Sequence, residues 1–168
     1  ELLFEGFIGG FIKDVLKGQA KVKFQASDMV LIDNLMYDGQ SLGKAFTMRH
    51  DILIEHKQKG LFILDTKYKE ISRFDGNENL HQTVVSEVNQ SDLYQMFTYA
   101  NKRGISDVYL LYPLYRFEEN EHSYPFGLSN IASATPIRVH MVRLPFVFEE
   151  DIDKTKEMLT EAINKIFD

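Results

Sequence analysis

Apolar residues at Phe4, Phe7, Ile8, Phe11, Ile12, Val15 and Leu16 recur every three to four positions, and Gly18 follows them. That spacing predicts an amphipathic helix with a glycine stop. Lys21-Val-Lys-Phe-Gln-Ala26 alternates at period two, as a half-buried strand or an edge segment does. Residues 27–45 are less regular. Met29–Ile32 fits either a short strand or a helical turn, while Asp38-Gly39 and Ser41-Leu-Gly43 read as loop. A strand is expected from Ala45 to Lys57, with Ile52-Leu-Ile54 as its apolar centre. Gln58-Lys59-Gly60 signals a hairpin turn, and Gly60-Leu-Phe-Ile-Leu-Asp-Thr-Lys-Tyr-Lys69 returns from it as a buried strand.

Residues 71–90 are polar, with Asp75-Gly76-Asn77 as a turn, and read as a long surface loop. Ser91 is placed to cap a helix that runs to about Arg103 and ends at Gly104. Leu93, Met96, Phe97 and Ala100 form its apolar stripe, and Gln95 and Tyr99, four apart, share one flank. Asp107–Tyr112 reads as a buried strand ended by Pro113, and Glu118–His122 as an acidic loop. Ile137–Leu144, between Pro136 and Pro145, is a further alternating strand. The last helix is expected from near Glu149 or Glu150, with Ile152, Thr155, Leu159, Ile163 and Ile166 as its stripe. Helix and strand alternate over short turns, which predicts an α/β domain.

The charged end of the strand at residues 60–69 sets the chemistry. Strand side chains alternate, so Asp65 and Lys67 project the same way. Core strands seldom finish in unpaired charge, because burying it is costly. If residues 57–59 form the turn, residues facing across the hairpin have numbers summing to 116, and Asp51 lies opposite Asp65. A two-residue turn would shift that register by one. In the first register Asp51, Asp65 and Lys67 share a face. Two facing carboxylates repel unless a cation or a shared proton lies between them. Lys67 partly neutralises the pair, and a divalent ion such as Mg²⁺ or Mn²⁺ suits such hard oxygen donors better. Glu5 falls in the Ile8–Ile12 row of the first helix, flanking the core. Asp28, Asp33 and Asp38, spaced by five, fit no single face and are assigned no site.

Composition narrows the class. The 168 residues suit a single domain, and 44% hydrophobic content suits a globular one. No apolar run reaches the roughly 20 residues of a membrane helix. There is no cysteine, hence no disulfide framework and no thiolate metal site, and the expected compartment is the cytoplasm. The net charge of −6 argues against a sequence-blind nucleic-acid coat, although residues 118–168 carry ten acids against five bases and hold most of that excess. The chain starts at Glu1 inside a helical pattern, which reads as the C-terminal part of a longer protein.

The ordered set of an acid on a first helix, Asp51, Asp65-x-Lys67 and Gln95-x-x-x-Tyr99 resembles the PD-(D/E)xK nuclease superfamily, in its Gln-x-x-x-Tyr branch. Leu3-Phe-Glu5, Arg49-His-Asp51-Ile, Leu64-Asp-Thr-Lys-Tyr-Lys69, Ser91-Asp-Leu-Tyr-Gln-Met96 and Leu110-Leu-Tyr-Pro113 resemble the McrC family, the nuclease subunits of McrBC modified-cytosine restriction systems. The likeness spans roughly residues 2–113. It implies a restriction-endonuclease-like core, with a mixed central sheet flanked by helices. His50 stands where the family usually has proline, and a packed or surface histidine is expected there rather than a catalytic one.

The resemblance further implies a Mg²⁺-dependent DNA endonuclease, with Mn²⁺ as a substitute. Asp51 and Asp65 would hold the metal, with the Thr66 carbonyl, and Glu5 would orient a metal-bound water or a second ion. Lys67 would orient the attacking water and stabilise the phosphate, while Gln95 and Tyr99 would brace the site and touch the strand. Tyr99, Lys69, Arg73, Lys102 and Arg103 are candidate DNA contacts, with Lys44 and Arg49 beside them. The implied partner is a GTP-hydrolysing AAA+ motor subunit, docked mainly through a region outside this chain, with no membrane involved. Two alternatives remain at this point: a RecB-like exonuclease that needs DNA ends, and a regulatory module of the motor.

Overall fold

The computed structural model describes residues 2–71, 80–115, 124–128, 136–147 and 152–168. Helix α1 (Leu2–Val15) leads into a long hairpin of β1 (Ala20–Tyr37) and β2 (Gln40–His56), and β3 (Gly60–Thr66) follows. Helices α2 (Leu80–Glu87) and α3 (Gln90–Arg103) precede β4 (Asp107–Leu114), and β5 (Tyr124–Leu128), β6 (Ile137–Pro145) and α4 (Ile152–Ile166) complete the order. The six strands form one sheet in the order β1-β2-β3-β4-β6-β5. The β1–β2, β2–β3 and β5–β6 pairs are antiparallel, and β3–β4 and β4–β6 are parallel. This is the mixed sheet expected of an α/β domain.

Strand alternation splits the core into two layers. Leu53, Ile63, Val108, Leu110 and Tyr112 face one way and pack with Met96, Tyr99 and Ala100 of α3. Ile52, Ile54, Leu64, Tyr109 and Leu111 face the other way, against Phe4, Ile8 and Ile12 of α1 and Leu159 and Ile163 of α4. The three-layer arrangement follows from central strands that are apolar on both sides. Helix α1 comes so close to β1 that a Cβ at Gly9 would stand 2.5 Å from the Phe24 ring, so only glycine fits there without moving that ring.

Four expectations change. Residues 27–45 belong to the β1–β2 hairpin, and Ser41-Leu-Gly43 lies in β2, with the turn confined to Asp38-Gly39. Alternation fails to reveal this because the ladder is broken between Ala26 and Met29 and again between Ile32 and Leu35. The polar stretch 71–90 contains a helix at Leu80–Glu87. Helix α3 is capped by Asn89, whose side chain accepts from the Ser91 amide, so Ser91 lies within the first turn. Ile152 is exposed, although Thr155, Leu159, Ile163 and Ile166 are buried as the stripe requires. The Asp75-Gly76-Asn77 turn, the Glu118–His122 loop and the start of the last helix at Glu149 or Glu150 lie outside the described residues.

Candidate active site

The β2–β3 hairpin has the register that the three-residue turn requires. Ile52 pairs with Leu64, Ile54 with Phe62 and His56 with Gly60, which leaves residues 57–59 as the turn. One step beyond the last pair stand Asp51 and Asp65. On its other side β3 runs parallel to β4, pairing Asp65 with Leu110 and Thr66 with Leu111, and the Lys67 amide continues the ladder by donating to the Leu111 carbonyl at 2.8 Å. The charged strand end is thus held between two neighbours.

Asp51 Oδ2 accepts from the Thr66 amide at 3.0 Å and from the Thr66 hydroxyl at 2.9 Å. These bonds pin the Asp51 carboxylate to the end of β3. Asp65 is only 2% exposed. Lys67 Nζ lies 2.7 Å from Asp65 Oδ2 and 3.3 Å from Asp92 Oδ1, so one ammonium bridges two carboxylates. Burial, reinforced by the Asp51 charge and only partly offset by Lys67, lifts the Asp65 carboxyl to about 6. Burial works against the Lys67 charge, but the Asp65 and Asp92 carboxylates outweigh it and hold the ammonium above its usual range. Tyr112 of β4 adds a buried phenol with no hydrogen-bond partner for its hydroxyl among the described residues. Burial first, then Asp92 and Asp65, push that phenol well above its usual range.

Gln95 and Tyr99 form a relay from α3 to β2. Gln95 Nε2 donates to Tyr99 Oη at 3.0 Å, and Tyr99 Oη donates to the Arg49 carbonyl at 2.8 Å. The pair therefore anchors the backbone two residues before Asp51. His50 is fully buried, stacked on the Tyr99 ring at 4.4 Å between centroids, and accepts from Arg103 Nε at 3.1 Å. Burial and the nearby Arg103 charge hold its pKa down to about 4, so it is a neutral packing residue near neutral pH.

The other expected site residues are placed differently. Glu5 sits on α1, in the layer opposite α3, and its carboxylate accepts from Gln25. No group of three acidic or histidine side chains gathered to hold a metal occurs among the described residues, so Glu5 is not brought into a cluster with Asp51 and Asp65. Arg103 is engaged by Asp28 and His50, and Lys102 by Asp33. Lys69 donates to the Glu87 carbonyl at 3.2 Å and lies 5.9 Å from the centre of the Tyr112 ring. Arg73 lies outside the described residues. Asp92 is the participant that sequence reasoning missed. It resembles any acid in a helix's first turn, yet Asp92-x-x-Gln95-x-x-x-Tyr99 places it three residues before Gln95 and seven before Tyr99, along one flank.

The donor set fits a hard divalent cation. Two carboxylates and the Thr66 carbonyl are oxygen donors, and the buried Asp65 needs a positive neighbour whatever its source. Lys67, 2.7 Å from Asp65 Oδ2, fills that need in part.

A mixed sheet backed by helices on both faces, with a carboxylate inside one strand facing a carboxylate and a lysine at the end of the next, defines a restriction-endonuclease-like α/β domain. Residues 1–113 match the family model described as McrBC 5-methylcytosine restriction system component, and the chain belongs to that family. It is also similar in fold to a chain in the solved Thermococcus gammatolerans assembly, described as a refined half-complex from a tetradecameric assembly of McrB AAA+ hexamers with bound McrC. The TM-score is 0.62 at 14% identity, over 98% of this chain and 33% of that one. The chain therefore spans about a third of the length of its structural relative. No curated protein matches it. No helix among the described residues is long and apolar enough to cross a membrane.

Proposed function

We propose that this chain is the nuclease domain of its restriction system, hydrolysing DNA phosphodiester bonds with Mg²⁺ and acting in the cytoplasm beside a GTP-driven AAA+ motor. The observation that carries the reading is the meeting of Asp51, within β2, with Asp65 and Lys67 at the end of β3. Asp51, Asp65 and the Thr66 carbonyl are the groups that would hold the cation. When bound, such an ion lowers the pKa of its water and neutralises phosphate charge. Lys67 directs its ammonium to a non-bridging phosphate oxygen and to the attacking water, in a setting shielded from bulk solvent. Asp92 keeps that ammonium in place when Asp65 turns to another cation. Gln95 and Tyr99 fix the Arg49 carbonyl, and with it the approach of Asp51. Glu5 remains a candidate for orienting the water only if its helix moves, because Gln25 holds it here.

The motor partner is supported by the structural relative, described as McrB AAA+ hexamers with bound McrC, of which this chain covers 33%. The family likeness implies that recognition of modified cytosine belongs to the motor subunit. Covalently closed plasmid is the substrate for the test. Mg²⁺-dependent nicking or linearisation, with the motor and GTP added if required, is expected, and it should vanish in Asp65→Ala and Lys67→Ala. Cleavage of linear but not closed DNA would instead mark an end-dependent exonuclease. Unchanged cleavage in both variants would leave only the regulatory module. Mn²⁺ anomalous density away from Asp51 and Asp65 would move the metal site elsewhere.

A further inference from the structure

A second feature lies beside this site, between the outer half of the β1–β2 hairpin and helix α3. It is a cavity of about 310 Å³, at the lower end of ligand-pocket sizes. Leu31, Phe46, Met48 and Tyr94 form its apolar walls, and Thr47, Thr98 and Gln95 bring polar groups to them. We propose that this groove holds an unpaired nucleobase of the strand being cut, so that the enzyme engages locally opened or single-stranded DNA. The proposal rests on the phosphodiester-hydrolase reading and adds the form of DNA that the site accepts.

Continuity with the candidate active site is the first argument. Tyr99 lines the groove and also clamps the Arg49 carbonyl, and Gln95 lines it while holding Tyr99. Along β2 the groove residue Met48 precedes Asp51 by three positions, ~10 Å of extended chain. That is roughly three base steps at ~3.4 Å each. A strand with its phosphate at Asp51 and Asp65 therefore passes the groove a few nucleotides away.

The chemistry of the walls is the second argument. Phe46 and Tyr94 are 68% and 64% exposed, two large rings open at one groove. Every base has a π face, so a pair of open aromatic rings binds bases without regard to sequence. Phe46 also sits at φ 59, a left-handed conformation that a bulky residue rarely adopts. It lies between the paired positions Val30↔Thr47 and Ile32↔Ala45, opposite Leu31, and no turn requires that conformation. The register is the same on either side of Phe46, so the unusual conformation is local to the residue that presents the ring.

Charge is the third argument. Lys44 and Arg49 flank the groove on β2, both exposed and both outside any ion pair among the described residues. The acids opposite them on β1, Asp28 and Asp33, are already paired with Arg103 and Lys102. Phosphates on either side of a seated base would meet cations that hold no ion pair among the described residues. A stacked duplex hides its base faces, so only an opened strand can fill the groove.

The test is binding read without cleavage. Anisotropy is measured for a fluorescein-labelled single-stranded thymidine oligonucleotide and for a blunt duplex of the same length, with Ca²⁺ in place of Mg²⁺. The wild-type chain should prefer the single strand. Phe46→Ala and Tyr94→Ala should each weaken single-strand binding by about 5- to 100-fold. Tyr94→Phe should keep it, and duplex binding should move less than about twofold. Equal losses on both substrates, no loss, or no single-strand binding at all would overturn the proposal. So would an altered oligomeric state by light scattering with unchanged DNA affinity, which would make the groove a protein interface. Cleavage of closed plasmid tests the hydrolase reading separately, so failure of one does not count as failure of the other.

Discussion

Neutralising Asp65 should make the metal-free protein more stable. The carboxyl is buried and its pKa is raised from 3.8 to about 6, so holding it ionised near neutral pH opposes folding. The shift is about 2 units, and at ~1.4 kcal/mol per unit the folded state loses about 3 kcal/mol by keeping this charge. That figure already contains the help from Lys67. Asp65→Asn removes the charge and keeps the shape, and in a chain of this length about 3 kcal/mol corresponds to a rise in Tm of roughly 6–12 °C. The measurement is thermal unfolding by circular dichroism in EDTA at pH 7. The pH dependence supplies the sign. A folded pKa raised above the unfolded one gives stability that is present below about pH 4 and lost as pH rises through about 6. The gap between Asp65→Asn and wild type should therefore close on acidification from about pH 7 to pH 4. Adding Mg²⁺ should raise the wild-type Tm and leave the variant's unmoved. A variant less stable than wild type at pH 7, or a gap that widens in acid, would refute the claim that Asp65 is a strained, cation-seeking carboxylate.

Asp92→Asn should leave Lys67 with a single carboxylate anchor and lower Mg²⁺-dependent cleavage at least tenfold, with partial recovery in Asp92→Glu. Equal activity of all three proteins would remove Asp92 from the site. Tyr99→Phe deletes the donor to the Arg49 carbonyl and should cost about 1 kcal/mol in urea unfolding. The His50 ring should stay neutral until about pH 4 by NMR titration, and because its folded pKa is depressed its stabilising effect is lost as pH falls from about 6.5 through 4. A His50 titration near the ordinary 6.5 would contradict its burial.

The hairpin that carries the site was legible because two local signals agree. The turn at residues 57–59 and the apolar runs on either side specify one register, and that register sets Asp51 across from Asp65. Helix α3 was legible for a similar reason, since its stripe and the Gly104 stop agree on where it ends. Residues 27–45 were not, because bulges reset the alternation and much of that hairpin is solvent-facing on both sides. Leu80–Glu87 was missed because a short helix with few apolar residues leaves no periodic trace. Asp92 was missed because its partner, Lys67, lies on a different element, and no local pattern records that contact.

The three-residue turn between β2 and β3 has a consequence for how this molecule can change. Thirteen residues separate Asp51 from Asp65, and they act as a gauge block between the two acids. Adding or deleting one residue at the tip would slide the strands by a single notch and turn one acid toward the far side of the sheet. Length at positions 57–59 is therefore less free than an exposed loop suggests, although its side chains can vary.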